Sequence, residues 1–292
     1  MATIPKSARP VGMVRGTAIF SKSIMIDLAH KLTKRRKRDR GQVASDYDAG
    51  EWAQQKRARL WSRSADLKAY VERHAVNRSL TALIDGRLWR LPAKDYYALR
   101  RQRLTAVLKQ YAPDPAALIE LGSGAGMNLF TLHLEDYWKS LLGLELSETG
   151  VSVARETADH FDVSDRIRFA HIDLLDPQSG GYAALEGHTV FTHYCLEQLP
   201  NDTEAVFRQL ADAGVKRVIC IEPSFELLKF SSLRDLASLS YVWRQDYQRT
   251  LVRVAQRMQA RGDIRVLAAE RLHFASSWRN APTLLVWEPV VG

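Results

Sequence analysis

The sequence predicts an α/β fold in which a mostly parallel sheet carries helices on both faces and follows a helical N-terminal region. From residue 116 onward, short apolar runs alternate with amphipathic stretches, as strands and crossover helices do in parallel sheets. Before residue 116, the apolar residues recur at helical spacings. The charge changes at the same place. Residues 1–115 hold 25 Lys and Arg against 10 Asp and Glu, whereas residues 116–292 hold 17 against 23.

The composition excludes several classes of protein. Of the 292 residues, 46% are hydrophobic and 26% are charged, which is ordinary for a globular protein and unlike a disordered chain, a collagen or a disulfide scaffold. Cys195 and Cys220 both lie in apolar segments, so we expect core thiols rather than a disulfide of an oxidising compartment. No apolar run approaches membrane-spanning length. We expect a cytoplasmic protein without a membrane partner.

The N-terminal part is predicted to be helical. Residues 24–38 begin with an apolar pattern and end in a basic cluster at 34–38, after which Gly41 is a stop signal. Residues 51–75 carry apolar side chains at helical spacings, and residues 94–111 form one amphipathic pattern.

The elements after residue 116 alternate regularly. The predicted strands are 116–121, 140–146, 166–172, 189–194, 215–221, 263–274 and 282–289. A helix is predicted to begin near residue 127, after the first strand, and another to end at residue 160, after the second. Further helical segments are predicted over 202–213 and over a long stretch at 226–261. Because the last two strands have only a short link, we expect one of them to run antiparallel as a hairpin.

These elements predict two domains. A basic helical region would cover 1–93, with residues 1–20 as a candidate disordered segment, and a second domain would cover 94–292. Within the second, residues 224–262 exceed a simple crossover and are rich in aromatic residues, so we expect a helical lid over a substrate there.

The sharpest motif is the glycine-rich run Glu120–Gly126, which directly follows a predicted strand and opens a helix. Glycines permit a tight turn and a close approach of the backbone to a ligand. A phosphate-binding P-loop is excluded because no Gly-Lys-Ser/Thr follows. A dinucleotide site is disfavoured because Met127 stands where its third glycine belongs.

From this motif onward, over about 116–292, the sequence resembles the class I S-adenosylmethionine (SAM)-dependent methyltransferases. The resemblance rests on motifs in the family's order, most of them at the ends of successive strands: LIELGSGAGMNL, Glu145, Asp173, Cys195–Pro200 (Cys-Leu-Glu-Gln-Leu-Pro) and Ile221–Pro223. It implies a Rossmann-like, seven-stranded sheet that binds SAM. Glu145 would hold the ribose hydroxyls and Asp173 would lie by the adenine amino group. As alternatives, Glu145 could be an acid favoured by a helix dipole and Asp173 a turn former.

The resemblance also implies sets of site residues. The cofactor set is Glu120, Gly122, Ser123, Gly124, Gly126, Met127, Asn128, Glu145, Leu146, Asp173, Leu174 and Thr192. The acceptor-facing set is His193, Tyr194 and Glu197, to which we add Tyr241, Trp243 and Tyr247 from the aromatic insert. His193 is the candidate general base, since its ordinary pKa lies near neutrality. Alternatively, His193 only hydrogen-bonds the backbone or the substrate. Tyr96 and Tyr97 could close over the cofactor, with Arg100 near its carboxylate, or simply pack within a helix.

The expected function is methylation of a small polar molecule, at a hydroxyl of sugar or natural-product type. No Asn/Asp-Pro-Pro-Tyr/Phe motif follows the fourth strand, which argues against methylation of nucleobase amino groups. Gln198 replaces a family histidine, and we expect no metal. Two alternatives stay open. The basic N-terminal region could serve an RNA or protein methyltransferase, although nucleic acid is not the favoured partner, or the chain could bind the cofactor without catalysis. Oligomeric state is left open.

Overall fold

The computed structural model describes residues 3–33, 50, 52–73, 78–199 and 202–290 of the chain. The predicted basic cluster at 34–38, its stop at Gly41 and the end of the Cys195–Pro200 motif lie outside these residues. In the described part, no helix is both long and apolar enough to cross a bilayer.

The elements follow one another as a small N-terminal region and then a regular strand–helix alternation. The helices are α1 (Met13–Thr33), α2 (Trp52–Ala58), α3 (Leu67–Glu72), α4 (Ala93–Tyr111), α5 (Met127–His133), α6 (Glu148–His160), α7 (Thr203–Asp212), α8 (Leu233–Gln245) and α9 (Leu251–Arg261). The strands are β1 (Arg9–Pro10), β2 (Ser79–Ile84), β3 (Arg87–Pro92), β4 (Ala117–Leu121), β5 (Ser140–Glu145), β6 (Ile167–His171), β7 (Thr189–His193), β8 (Arg217–Pro223), β9 (Ile264–Arg271), β10 (Phe274–Ala275) and β11 (Pro282–Pro289).

The large sheet has seven strands in the order β6-β5-β4-β7-β8-β11-β9. Strands β4 to β8 pair in parallel. Strand β11 lies antiparallel between β8 and β9, so that Leu285 faces Cys220 on one side and Ala269 on the other. The predicted fold class is confirmed, and so is the antiparallel pairing of the last two predicted strands.

Both faces of the sheet are buried, which explains why its strands are continuous apolar runs. Successive residues alternate between two core clusters. In β11, Leu284 and Val286 belong to one cluster, and Leu285 and Trp287 belong to the other. Because side chains in a strand point alternately to opposite faces, one short apolar run serves both cores. The strands β4, β5 and β7 are therefore packed on both faces up to the edge where they end.

A second, four-stranded sheet in the order β1-β3-β2-β10 was not predicted. Its hairpin turns at Asp85 and Gly86, whose φ values are 50° and 78°. Those values suit the Asp-Gly pair of a two-residue hairpin turn. Strand β10 pairs with β2 through Phe274 and Ala275. The small sheet thus takes strands from both sides of the predicted boundary at 93/94.

Two stretches with helical patterns are interrupted. Within 51–75, Arg59 follows α2 with a left-handed φ of 41°, and the Asp66 carboxylate starts α3 by accepting a hydrogen bond from Ala69 N at 2.7 Å. Similarly, the stretch 226–261 forms α8 and α9, since Asp246 ends α8 in the left-handed region. Isolated left-handed residues of this kind terminate helices. Helix α1 begins eleven residues earlier than predicted, and its described part runs to Thr33.

Candidate functional site

The glycine loop lies between β4 and α5, and its conformation depends on glycine. Gly122 and Gly124 have φ values of 71° and 54°, in the left-handed region that side chains disfavour. A Cβ at Gly122 would stand 2.3 Å from Cys195 Sγ, and one at Gly124 would stand 2.8 Å from the Trp52 ring. The backbone of the loop therefore packs directly against the side chains of Cys195 and Trp52.

Glu145 ends β5 beside this loop. Its carboxylate accepts hydrogen bonds from Gly124 N at 2.8 Å and from Ser147 N at 2.9 Å. Ser147 in turn caps α6 by accepting from Gly150 N at 2.9 Å. The carboxylate is thus fixed between the glycine loop and a helix N-terminus, both of which donate backbone amides to it.

Asp173 follows β6 and is buried, with 4% of its surface exposed. Its Oδ1 accepts from Leu175 N at 2.9 Å, and its own N–H donates to Ser179 Oγ at 3.0 Å. Asp173 therefore stabilises a turn, which is the alternative role that the sequence suggested for it. The same residue also lines the cavity described next.

These residues surround a cavity of about 290 Å³ at the carboxyl edge of the sheet. It brings together eight members of the cofactor set: Gly122, Ser123, Gly124, Asn128, Glu145, Leu146, Asp173 and Leu174. Four other members of that set do not line it: Glu120, Gly126, Met127 and Thr192. Lining residues that the sequence reasoning missed are Trp52, Ser147, Ile172, Leu175, Cys195, Gln198 and Leu199. Of these, Trp52 stands on the separate helix α2, and its contact with the loop had no local sequence signal.

Glu120 lies behind the glycine loop as the first member of a polar chain. Its Oε1 accepts from Asn128 Nδ2 at 2.6 Å, and Asn128 Oδ1 accepts from Arg100 Nη2 at 2.7 Å. Glu120 is 1% exposed, and its Oε2 has no hydrogen-bond partner within the described residues. Burial raises the pKa of Glu120 to about 8, against the lowering effect of the Asn128 hydrogen bond. An unsatisfied buried acceptor is costly without a ligand.

A larger cavity of about 990 Å³ lies beside the first, between α4, the start of α5 and the segment 272–276. Both cavities are lined by Asn128, His193 and Tyr194, where they meet. In the larger one, the Tyr96 ring stacks on Phe274 with centroids 5.1 Å apart. Arg100 also lines the larger cavity.

His193 ends β7 at this junction. Burial, and secondarily the positive charge of Arg100, hold the pKa of His193 well below its ordinary value. Its imidazole is therefore neutral at pH 7 and can accept a proton. Tyr194 follows with a left-handed φ of 59°, and its hydroxyl donates to the Asn280 carbonyl at 2.8 Å. Such strain at a non-glycine residue persists only where the surroundings hold it.

The loop after β7 is anchored by a buried carboxylate that the sequence identified only as part of a motif. Glu222 accepts from Cys195 N at 2.9 Å and from Glu197 N at 3.2 Å. Burial raises the pKa of Glu222 to about 7, against the lowering effect of these backbone hydrogen bonds. Glu197 itself is 4% exposed, accepts from Asn280 Nδ2 at 3.1 Å and lines neither cavity.

The three aromatic residues expected from the insert also line neither cavity. Tyr241 lies under the Arg279 guanidinium, 4.6 Å from its ring centroid. Tyr247 is 7% exposed, and Trp243 is 41% exposed at the surface of α8. None of the three therefore lines the junction that contains His193 and Tyr194.

Among the residues that the structure describes, no three His, Cys, Asp or Glu side chains form a group that could hold a metal ion. The thiols of Cys195 and Cys220 are free. The polar side chains that line the two cavities include carboxylates, amides, hydroxyls, the guanidinium groups of Arg100, Arg101 and Arg103, and the imidazoles of His193 and His273.

Comparison with solved structures relates this arrangement to a known fold. Magnesium protoporphyrin IX methyltransferase from Synechocystis PCC 6803 with bound SAH matches 86% of this chain and 100% of its own, with a TM-score of 0.52 and 13% identity. The chain has the class I methyltransferase fold. Geranyl diphosphate C-methyltransferase from Streptomyces coelicolor A3(2) matches 68% of this chain and 82% of its own, with a TM-score of 0.49 and 14% identity. No protein-family model and no curated protein sequence matches the chain.

Proposed function

We propose that the protein is a SAM-dependent methyltransferase that methylates a hydroxyl group of a small molecule. One observation carries the proposal. The cavity formed by the glycine loop, Glu145 and Asp173 meets a second, larger cavity at His193 and Tyr194. A methyl donor and an acceptor held in two such cavities would meet at that junction, as a direct displacement requires.

The residues of the smaller cavity suit SAM. The Glu145 carboxylate offers acceptors for two ribose hydroxyls, and Asp173 lies on the next strand end, where the adenine amino group would need an acceptor. At the other end, the amide of Asn128 lines the cavity and is held in place by Glu120, whose Oε1 accepts from Asn128 Nδ2. Arg100, joined to Asn128, would face the carboxylate. The bound cofactor would supply an activated methyl group on its sulfonium.

His193 would act on the acceptor. A hydroxyl oxygen must lose its proton as it forms the new bond to carbon, and a neutral imidazole at the junction can take that proton. The low pKa of His193 keeps the imidazole in this accepting form at neutral pH. The hydroxyl of Tyr194, fixed on Asn280, would help to position the acceptor.

The larger cavity supports an acceptor of natural-product type. Its volume of about 990 Å³ is at the upper end of the range for small-molecule sites. The stacked Tyr96 and Phe274 rings offer an apolar, aromatic wall that suits a ring-bearing acceptor.

The test is calorimetric titration with SAH, followed by a methyl-transfer screen over hydroxyl-bearing acceptors. We expect SAH to bind the wild type and Glu145→Ala to weaken binding at least about tenfold, because two charge-assisted hydrogen bonds are lost. The matched control is Glu148→Ala, since Glu148 is an exposed acid in the first turn of α6 outside the cavity. If the wild type bound no SAH, the proposal would fail.

A further inference from the structure

Trp52 on α2 forms the outer wall of the smaller cavity. Its indole lies directly on two glycines. A Cβ at Gly124 would stand 2.8 Å from the ring, and a Cβ at Gly150 would stand 3.3 Å from it. Because neither glycine has a side chain, the ring reaches the backbone of the glycine loop and of the first turn of α6 at once.

The position of Trp52 within the cavity is defined by its neighbours. The point where a Gly150 Cβ would lie is 3.3 Å from the Trp52 ring and also 3.3 Å from Glu145 Cγ. Trp52 is therefore at the Glu145 end of the cavity. Its helix is held there by Lys56, whose Nζ donates to Ser152 Oγ of α6 at 2.9 Å.

We propose that Trp52 is a cofactor-binding residue that packs against the nucleoside half of SAM. The inference rests on the proposed function and extends it, since it makes the N-terminal region part of the cofactor site. A ligand held by Glu145 would meet the indole beside that carboxylate. An aromatic face offers a purine or ribose an apolar surface on which a base can stack.

The competing explanation is that Trp52 only packs α2 onto α6. The two explanations differ in whether the Trp52 side chain contributes to ligand binding once the protein is folded. A packing residue would affect thermal stability of the ligand-free protein and leave ligand affinity unchanged. A nucleoside-binding residue affects the affinity for any ligand that contains the nucleoside, with or without the methionine part.

The experiment compares Trp52→Ala and Trp52→Phe with the wild type in titrations with SAH and with 5′-methylthioadenosine, which lacks the amino acid part. We expect Trp52→Ala to weaken both ligands by the same factor, about tenfold or more, and Trp52→Phe to recover much of the affinity. Trp243→Ala is the matched control, because Trp243 is half-exposed on α8 and lines neither cavity.

A second measurement does not depend on the stability of the alanine variant. SAH titration should change the tryptophan emission of the wild type and of Trp243→Phe, but not that of Trp52→Phe. Unchanged affinity in Trp52→Ala, or weakening of SAH without weakening of 5′-methylthioadenosine, would overturn the inference and leave the proposed function intact. Failure of the wild type to bind SAH would instead remove the proposed function.

Discussion

At the scale of single residues, the burial of Glu120 has a cost in stability. The side chain is buried, its Oε2 has no protein partner in the described residues, and burial raises its pKa to about 8. In the unfolded chain it ionises near pH 4.5. Between these values folding requires uptake of a proton, so the free energy of unfolding falls as the pH rises from about 5 to about 8.

Glu120→Gln should remove this dependence, since Gln keeps the acceptor for Asn128 and has no charge to bury. We expect the variant to be more stable than the wild type at pH 8 by about 4 kcal/mol and to show little difference at pH 5. Urea unfolding at the two pH values measures this effect, and equal pH dependence in both proteins would contradict it.

The lowered pKa of His193 predicts the pH dependence of turnover. Burial, and then the charge of Arg100, lower its pKa below the ordinary 6.5. The imidazole therefore stays neutral, and able to accept a proton, as the pH falls through 6.5. We expect the acid limb of the kcat profile to lie below pH 6.5 in the wild type.

His193→Gln should lower kcat about a hundredfold, which is the lower end of a general base's contribution, and should abolish that limb while SAH affinity stays the same. Glutamine retains hydrogen bonding, so the substitution separates proton transfer from positioning. A near-normal kcat would show that His193 only makes hydrogen bonds.

At the scale of elements, α1 docks on α8 through buried polar groups. Asp27 of α1 is fully buried. Its carboxylate lies 3.2 Å from Arg244 Nε and 3.6 Å from Arg279, and accepts from Ser240 Oγ at 3.2 Å. Arg279 also covers the Tyr241 ring. The aromatic insert, which was expected to be a lid, thus packs against the N-terminal helix α1.

Asp27→Ala should destabilise the protein by about 2 kcal/mol, because a charge-assisted hydrogen bond is lost and two guanidinium groups lose their counter-ion. Hydrogen exchange should show faster exchange of the amides of α1. Asp165→Ala is the control, since Asp165 is exposed. Unchanged exchange in α1 would mean that this network does not hold the helix.

The Asp85-Gly86 turn and the end of α8 show where a local sequence pattern is sufficient to predict a short element and where it is not. The Asp85-Gly86 pair carried a hairpin signal that the helical interpretation of the N-terminal region overlooked. The end of α8 at Asp246 had no such signal, since a left-handed aspartate is one of several conformations open to that residue. Helix breaks of this kind depend on the packing of the flanking segments.

At the scale of the whole molecule, the sheet explains why the cofactor set came together. Parallel strands with right-handed crossovers bring their carboxyl ends to one edge. The glycine loop, Glu145 and Asp173 each end or follow a strand and were therefore placed by sequence order alone. The antiparallel β11 completes the sheet by pairing with both β8 and β9.

The apolar runs and the residues that follow them were enough to predict the α/β class and most of the smaller cavity, because strand ends and tight turns are encoded within a few neighbouring residues. Contacts between distant segments were not encoded in this way. Three such contacts join different segments of the chain. Trp52 lies on Gly124, Glu120 is linked through Asn128 to Arg100, and Tyr241 packs under Arg279. They depend on how α2, α4 and α8 pack against the sheet, and no local pattern specifies that packing.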